Sequence, residues 1–232
     1  MSKHPPQFFL SLYGWTFWVP ILLTGTAGII IPLFLPGAWW ISIPFAILTF
    51  ACLAFYRDFP RTVPQEPDIM VAPADGTVSE ISRLDHYPPF NGPALKIGIF
   101  LSVLDVHVNR SPYDATVLWT RYEEGSFLDA RHPDCSAKNQ SNTICLGPLS
   151  TDHWPLATAL PPLAVVKQIV GAIARRIIAP VTPGERLARG QRFGMIAFGS
   201  RTELYVPANA GWKPAVALGT HVKGGQDFLL NK

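Results

Sequence analysis

Charged side chains are absent from residues 5–56 and return in ordinary numbers after Arg57. Within that stretch two apolar runs, residues 17–35 and 39–56, flank the Pro36-Gly37 turn signal. Each run is close to the ~20 residues that a helix needs to cross a bilayer core. Trp15 and Trp18 stand near one end of the first run, and Trp39 and Trp40 at the far end. Tryptophans concentrate at membrane interfaces in this way. Pro20, Pro32 and Pro44 would break helices in water but are tolerated in lipid. The pattern predicts a membrane hairpin over residues 1–62, its connector included. Lys3 lies on one flank and Arg57 and Arg61 on the other, so both ends face the cytoplasm by the positive-inside rule. A cleaved signal peptide, a re-entrant hairpin and a soluble core hairpin are the competing readings of the same run.

Beyond the hairpin the period changes. Residues 57–70 are punctuated by Pro60, Pro64 and Pro67 and read as a connector. Short β-type runs follow at 68–72 and 77–81, around the turn Pro73-Ala74-Asp75-Gly76. A strong strand is predicted at 95–103, extended by 106–108, and another at 116–122. Residues 129–163 have no clean period and read as a long loop. A strand is predicted at 163–170, and 172–178 continues it or turns briefly helical. Strands at 193–198 and 203–206 surround Gly199-Ser200, and 215–218, 220–225 and 228–229 read as strand, turn, strand. The fold class is mainly β (α+β): a compact β-rich domain over 63–232 behind a helical hairpin.

Composition sharpens this division. Charged residues make up 15% of the 232-residue chain, with a formal net charge of +3, against about 25% for typical soluble domains. The deficit belongs to the hairpin. Cys52, Cys135 and Cys145 show no CxxC and no histidine pair at zinc spacing. They read as unpaired thiols, with a regulatory Cys135–Cys145 disulfide as the alternative. No metal site and no nucleic-acid partner is expected.

The candidate chemistry lies at Phe198-Gly199-Ser200. Glycine leaves its carbonyl open to approach, and a following serine can attack that carbonyl once a base takes its proton. Gly-Ser is also a common turn dipeptide. Likewise Asp75-Gly76 reads as a hairpin turn, and His107, two residues after Asp105, as a partly buried histidine held by a carbonyl.

The chain resembles the short form of the phosphatidylserine decarboxylase family. The likeness rests on Ala72-Pro73-Ala74-Asp75-Gly76, on Asp105-Val106-His107-Val108-Asn109-Arg110-Ser111-Pro112, and on a third block. That block runs from Gln168-Ile169-Val170-Gly171 through Gly194-Met195-Ile196 and Phe198-Gly199-Ser200-Arg201 to Leu204-Tyr205-Val206-Pro207. The resemblance implies an Asp75-His107-Ser200 triad. In it His107 deprotonates Ser200, Asp75 orients the imidazole, and Ser200 attacks the carbonyl of Gly199. The amide becomes an ester, β-elimination cuts the chain between 199 and 200, and Ser200 becomes a pyruvoyl group. The small chain would then span residues 200–232, roughly 3.6 kDa.

The pyruvoyl group would stand in for pyridoxal phosphate as the electron acceptor in decarboxylation, with His107 as proton donor afterwards. The implied substrate is phosphatidylserine in a bacterial-type inner membrane, with the domain on the cytoplasmic side and phosphatidylethanolamine as product. The implied partners are the two chains of one precursor and a second copy in a homodimer. Two rival functions are a decarboxylase of a related amino-acid lipid and a non-catalytic tethered β domain. Arg175, Arg176, Arg186, Arg189, Arg192 and Arg201 could meet a lipid phosphate or form a solvated face. Some relatives carry a second histidine three residues after the first, where this chain has Arg110. The family's N-E-R-N run is here Asn139-Gln140-Ser141-Asn142.

Overall fold

The computed structural model of the chain describes residues 8–149, 161–172, 176–197 and 200–232. They divide into two compact units, residues 8–60 and Arg61–Lys232.

The first unit is a pair of helices, α1 (Trp15–Ile30) and α2 (Ser42–Phe55), joined through short 3-10 turns. The Ser42 hydroxyl donates to the Ile29 carbonyl at 2.7 Å, which ties the start of α2 to the end of α1. Outward-facing apolar side chains such as Leu23, Phe34, Ile47 and Phe50 remain exposed. The helical stretch Leu12–Phe34 is long and apolar enough to cross a membrane, whereas Trp39–Phe55 is shorter.

The second unit is built almost entirely from strands. In chain order they are β1 (Ile69–Val71), β2 (Gly76–Tyr87), β3 (Gly92–Leu101), β4 (Val108–Arg110) and β5 (Ala115–Glu123). A one-turn helix α3 (Cys135–Lys138) precedes β6 (Ser141–Gly147), β7 (Ala164–Val170), β8 (Arg176–Ile178), β9 (Arg186–Leu187) and β10 (Arg192–Ala197). The chain closes with β11 (Ser200–Pro207), β12 (Lys213–Pro214), β13 (His221–Val222) and β14 (Phe228–Asn231). Eight strands form a curled antiparallel sheet in the order β13-β2-β3-β11-β7-β6-β5-β9. Two smaller sheets, β1-β14-β12 and β4-β10-β8, complete the unit.

Alternation sets the faces. Along β11, Leu204 and Val206 join Ile97, Ile99 and Leu101 of β3 and Val166 of β7 in the main core. Arg201, Glu203 and Tyr205 point to the other face and are buried as well. On that face Ser136 of α3 donates to Glu203, and Arg201 donates to Ser79 and Glu80 of β2. Tyr87 at its end stacks on Tyr205 with ring centroids 4.3 Å apart.

Three expectations change. Residues 129–163 are not one loop: they hold α3 and β6, and β6 is an interior strand of the large sheet. Its polar start, Ser141-Asn142-Thr143, hid it; those side chains are buried and Asn142 bonds Gln168 across to β7. Residues 106–108 do not extend β3. A turn at Ser102–Asp105, closed by Asp105 N–H on the Ser102 carbonyl (3.0 Å), sends the chain into another sheet. Finally, Asp75-Gly76 is not a hairpin turn, since β1 pairs with β14 and β2 with β3.

Candidate active site

Ser200 opens β11, between Leu101 of β3 and Val170 of β7. Its side chain lies on the core face, fully buried, and its hydroxyl makes no hydrogen bond among the described residues. A buried hydroxyl without a partner costs about 1–3 kcal/mol, so it calls for a reason. Phe198 and Gly199 lie outside the described residues, and the Gly199 carbonyl with them.

His107 stands just ahead of β4. Its backbone carbonyl accepts the Ile196 amide of β10 at 3.1 Å, and Val108 pairs with Met195. The imidazole is fully buried with Nδ1 2.9 Å from the Asp105 carbonyl. A carbonyl can only accept, so Nδ1 carries the proton and Nε2 is the basic nitrogen.

A buried amide network aligns the two strands. Asn109 donates to Thr202 Oγ1 at 3.0 Å, Gln168 donates to Asn109 Oδ1 at 2.8 Å, and Asn142 donates to Gln168 Oε1 at 3.0 Å. Asn109 lies two residues beyond His107, and Thr202 two residues beyond Ser200. Residues i and i+2 share a strand face. The Asn109–Thr202 bond ties β11, which Ser200 opens, to β4, which follows His107.

Asp75 sits in the turn ahead of β2. Arg110 N–H donates to the Pro73 carbonyl at 2.9 Å, and Gly225 N–H to Ala72 at 2.8 Å, so the turn is clamped from both sides. Gly76 has φ +144, and a Cβ there would stand 2.3 Å from the Phe100 carbonyl. Only glycine satisfies both constraints. The Asp75 carboxylate accepts from Arg61 Nη2 at 2.6 Å and from Gly224 N–H at 2.8 Å. The acceptor that orients His107 is the Asp105 carbonyl. Burial pushes the Asp75 carboxyl above the usual carboxylate range. Arg61 and the Gly224 amide oppose that rise, and nearby Asp105 adds to it.

Asp105 organises the loop that carries His107. Its carboxylate accepts Ser102 N–H at 2.8 Å and lies 2.8 Å from His221 Nε2 of β13. Burial alone would raise this carboxyl, but His221 and Ser102 outweigh it and hold it low. The sequence signal for Asp105 was its place two residues before His107; Arg61 carried no local signal for a role beside Asp75.

The arginines divide. Arg201 is buried away from solvent, pairing with Glu203 at 2.7 Å and with Glu80. Arg189 reaches the Pro64 and Glu66 carbonyls and Asp114. Arg176 and Arg186 are exposed, and Arg175 lies outside the described residues. All three cysteines are free thiols. No cluster of metal-ligating side chains occurs among the described residues.

The sequence profile of the phosphatidylserine decarboxylase family matches residues 48–230. This chain belongs to that family. A Nitrosomonas europaea relative named phosphatidylserine decarboxylase proenzyme is 37% identical over 98% of this chain and 97% of its own length. Proteins of the same name from Pelobacter propionicus (39% identical; 80% of this chain, 78% of that one) and Carboxydothermus hydrogenoformans (36%; 93% and 94%) are similar too. The decarboxylase family thus covers the strand-built unit, with all three motifs that carry Asp75, His107 and Ser200.

Proposed function

We propose that this chain is the precursor of a phosphatidylserine decarboxylase that cuts itself between Gly199 and Ser200. The observation that carries the reading is the buried, unbonded Ser200 hydroxyl at the head of β11, on a strand tied by Asn109 to the one that follows His107. His107 Nε2 takes the serine proton, and Ser200 Oγ attacks the Gly199 carbonyl. The amide nitrogen leaves as the ester forms. Loss of the Ser200 α proton then breaks the Cβ–O bond and releases the Gly199 carboxylate. The dehydroalanine left at position 200 takes up water and loses ammonia, giving the pyruvoyl end. Asp75 supplies fixed negative charge near the imidazolium, while the Asp105 carbonyl holds its tautomer.

Ser200 fits a side chain that is consumed in this way, since its hydroxyl makes no hydrogen bond among the described residues. Once formed, the pyruvoyl group supplies a carbonyl that accepts electrons during carbon dioxide loss. His107 is the group that returns a proton to the substrate carbon. The products are carbon dioxide and phosphatidylethanolamine. Residues 1–62 anchor the domain, 63–232, on the cytoplasmic side of an inner membrane. Lys3 and Arg57 carry the positive-inside signal there, because Arg61 is engaged with Asp75.

Intact mass spectrometry of the purified protein tests the cut. The expected result is a large chain ending at Gly199 and a roughly 3.6 kDa chain that lacks an amino terminus. Ser200→Ala should give one unbroken chain of 25.5 kDa, and His107→Ala chiefly the unbroken chain. An unbroken wild-type chain would leave only the tethered β domain. Carbon dioxide release from defined serine lipids separates phosphatidylserine from related headgroups.

A further inference from the structure

Arg61 is the first residue of the strand-built unit, fourteen positions ahead of Asp75 with β1 between them. Its side chain is nevertheless turned inward, 7% exposed against 10% for that of Asp75, with Nη2 2.6 Å from Oδ2. Its Nε is buried and makes no hydrogen bond among the described residues. One N–H on one oxygen is not the two-point clamp that arginine forms where geometry alone is wanted. A buried donor left unmatched calls for an explanation, and the opposite charge supplies it.

We propose that Arg61 is a positioning residue of the self-processing site, the counter-charge that fixes the Asp75 carboxylate in place. The proposal rests on the reading above that Asp75 serves self-cleavage. The charged and titratable groups facing Asp75 among the described residues are Arg61 from the connector, Asp105 from the β3–β4 loop, paired with His221 of β13, and, on the reading above, the His107 imidazole. Arg61 touches the carboxylate and opposes the effect of burial. Without it, Asp75 would be a buried acid beside a second acid, and such a group takes up a proton. The connector behind the membrane unit thereby becomes part of the cutting machinery.

The test follows self-cleavage of full-length precursor made by cell-free synthesis in lipid nanodiscs and chased at a series of pH values. In Arg61→Gln the acid limb of the rate should move to higher pH. Below neutral pH cleavage should be about tenfold slower or more, one pH unit being one decade, and the deficit should shrink as pH rises. Arg61→Lys should return the profile toward wild type. Adding Arg61→Gln to Asp75→Asn, a pair with no unmatched charge, should slow cleavage no further than Asp75→Asn alone. Arg61→Gln with the wild-type profile, or with an equal loss at every pH, would overturn the proposal, the second result marking a merely structural residue. Asp75→Asn cleaving at the wild-type rate would remove Asp75 from the site, and this role of Arg61 with it. A wild-type chain that never cleaves would instead defeat the parent reading.

Discussion

At the scale of single residues, the site depends on which polar atoms are matched. His107 has its tautomer set by the Asp105 carbonyl, which leaves Nε2 as the nitrogen proposed to take the serine proton. His107→Ala should slow cleavage by about 10²–10⁴, the usual worth of a positioned acid–base group, as read from band intensities on a denaturing gel. Asp75→Ala should also slow it severely. Glu203 is a different case. It is fully buried, accepts from Tyr205 at 2.5 Å and Ser136 at 2.7 Å, and pairs with Lys96 and Arg201. Burial alone would raise its carboxyl, yet the two cations and two hydroxyls outweigh burial and hold it low. A carboxylate with a depressed folded pKa stabilises above its unfolded pKa, and that contribution is lost as pH falls through the folded value. Acid unfolding of Glu203→Gln should therefore show a shallower loss of stability with falling pH than wild type. Glu203→Ala should cost about 3–5 kcal/mol in urea at neutral pH, because it strands buried positive charge. The motif residues Ser200, His107 and Asp75 were legible in the sequence because their neighbours form recognisable blocks. The burial of Arg201 was not, because a run of arginines looks the same whether it faces lipid or a buried glutamate.

At the scale of elements, alternation and apolar content exposed β3, β5 and β7 but missed β6. A strand announces itself by the residues it buries, and β6 buries Ser141, Asn142 and Thr143 along with Ile144 and Leu146. Its polar end is readable only once Gln168 and Asn109 are known to lie opposite, and those partners are 26 and 59 residues away along the chain from Asn142 and Gln168 respectively. The same network gives this level its prediction. Asn109 bonds Thr202 and Gln168 together, so Asn109→Ala leaves two buried groups unmatched, at about 1–3 kcal/mol each. Thr202→Val removes one end of the tie while nearly preserving shape. A double-mutant cycle on Asn109 and Thr202 should show clear coupling in both unfolding free energy and cleavage rate. Simple additivity in the cleavage rate would mean that the tie does not align β4 with β11.

At the scale of the whole molecule, the proposed cut falls where the fold can least release its product. Residues 200–232 supply β11, held between β3 and β7, and also β14, held between β1 and β12. They further add β13 to the edge beside β2. The small chain is thus woven into two sheets and shares the main core through Leu204, Val206, Leu229 and Leu230. Cutting ahead of Ser200 frees a chain end but leaves the pairings from Arg201 onward in place. The mature two-chain protein should migrate as one species under native conditions and separate only on denaturation. Refolding should tell precursor from product. Ser200→Ala remains one polypeptide, so its strand-built unit should refold at a rate independent of protein concentration. Once cut, the same unit must first bring two chains together, and its midpoint in denaturant should rise with protein concentration, as for any folded state that exists only as an assembly. Paired urea titrations of the cut protein and of Ser200→Ala, each over a hundredfold range of concentration in the same detergent, measure this directly. A midpoint that stays fixed for the cut protein would mean that the large chain folds without β11. The central place of that strand in the sheet argues against such a result.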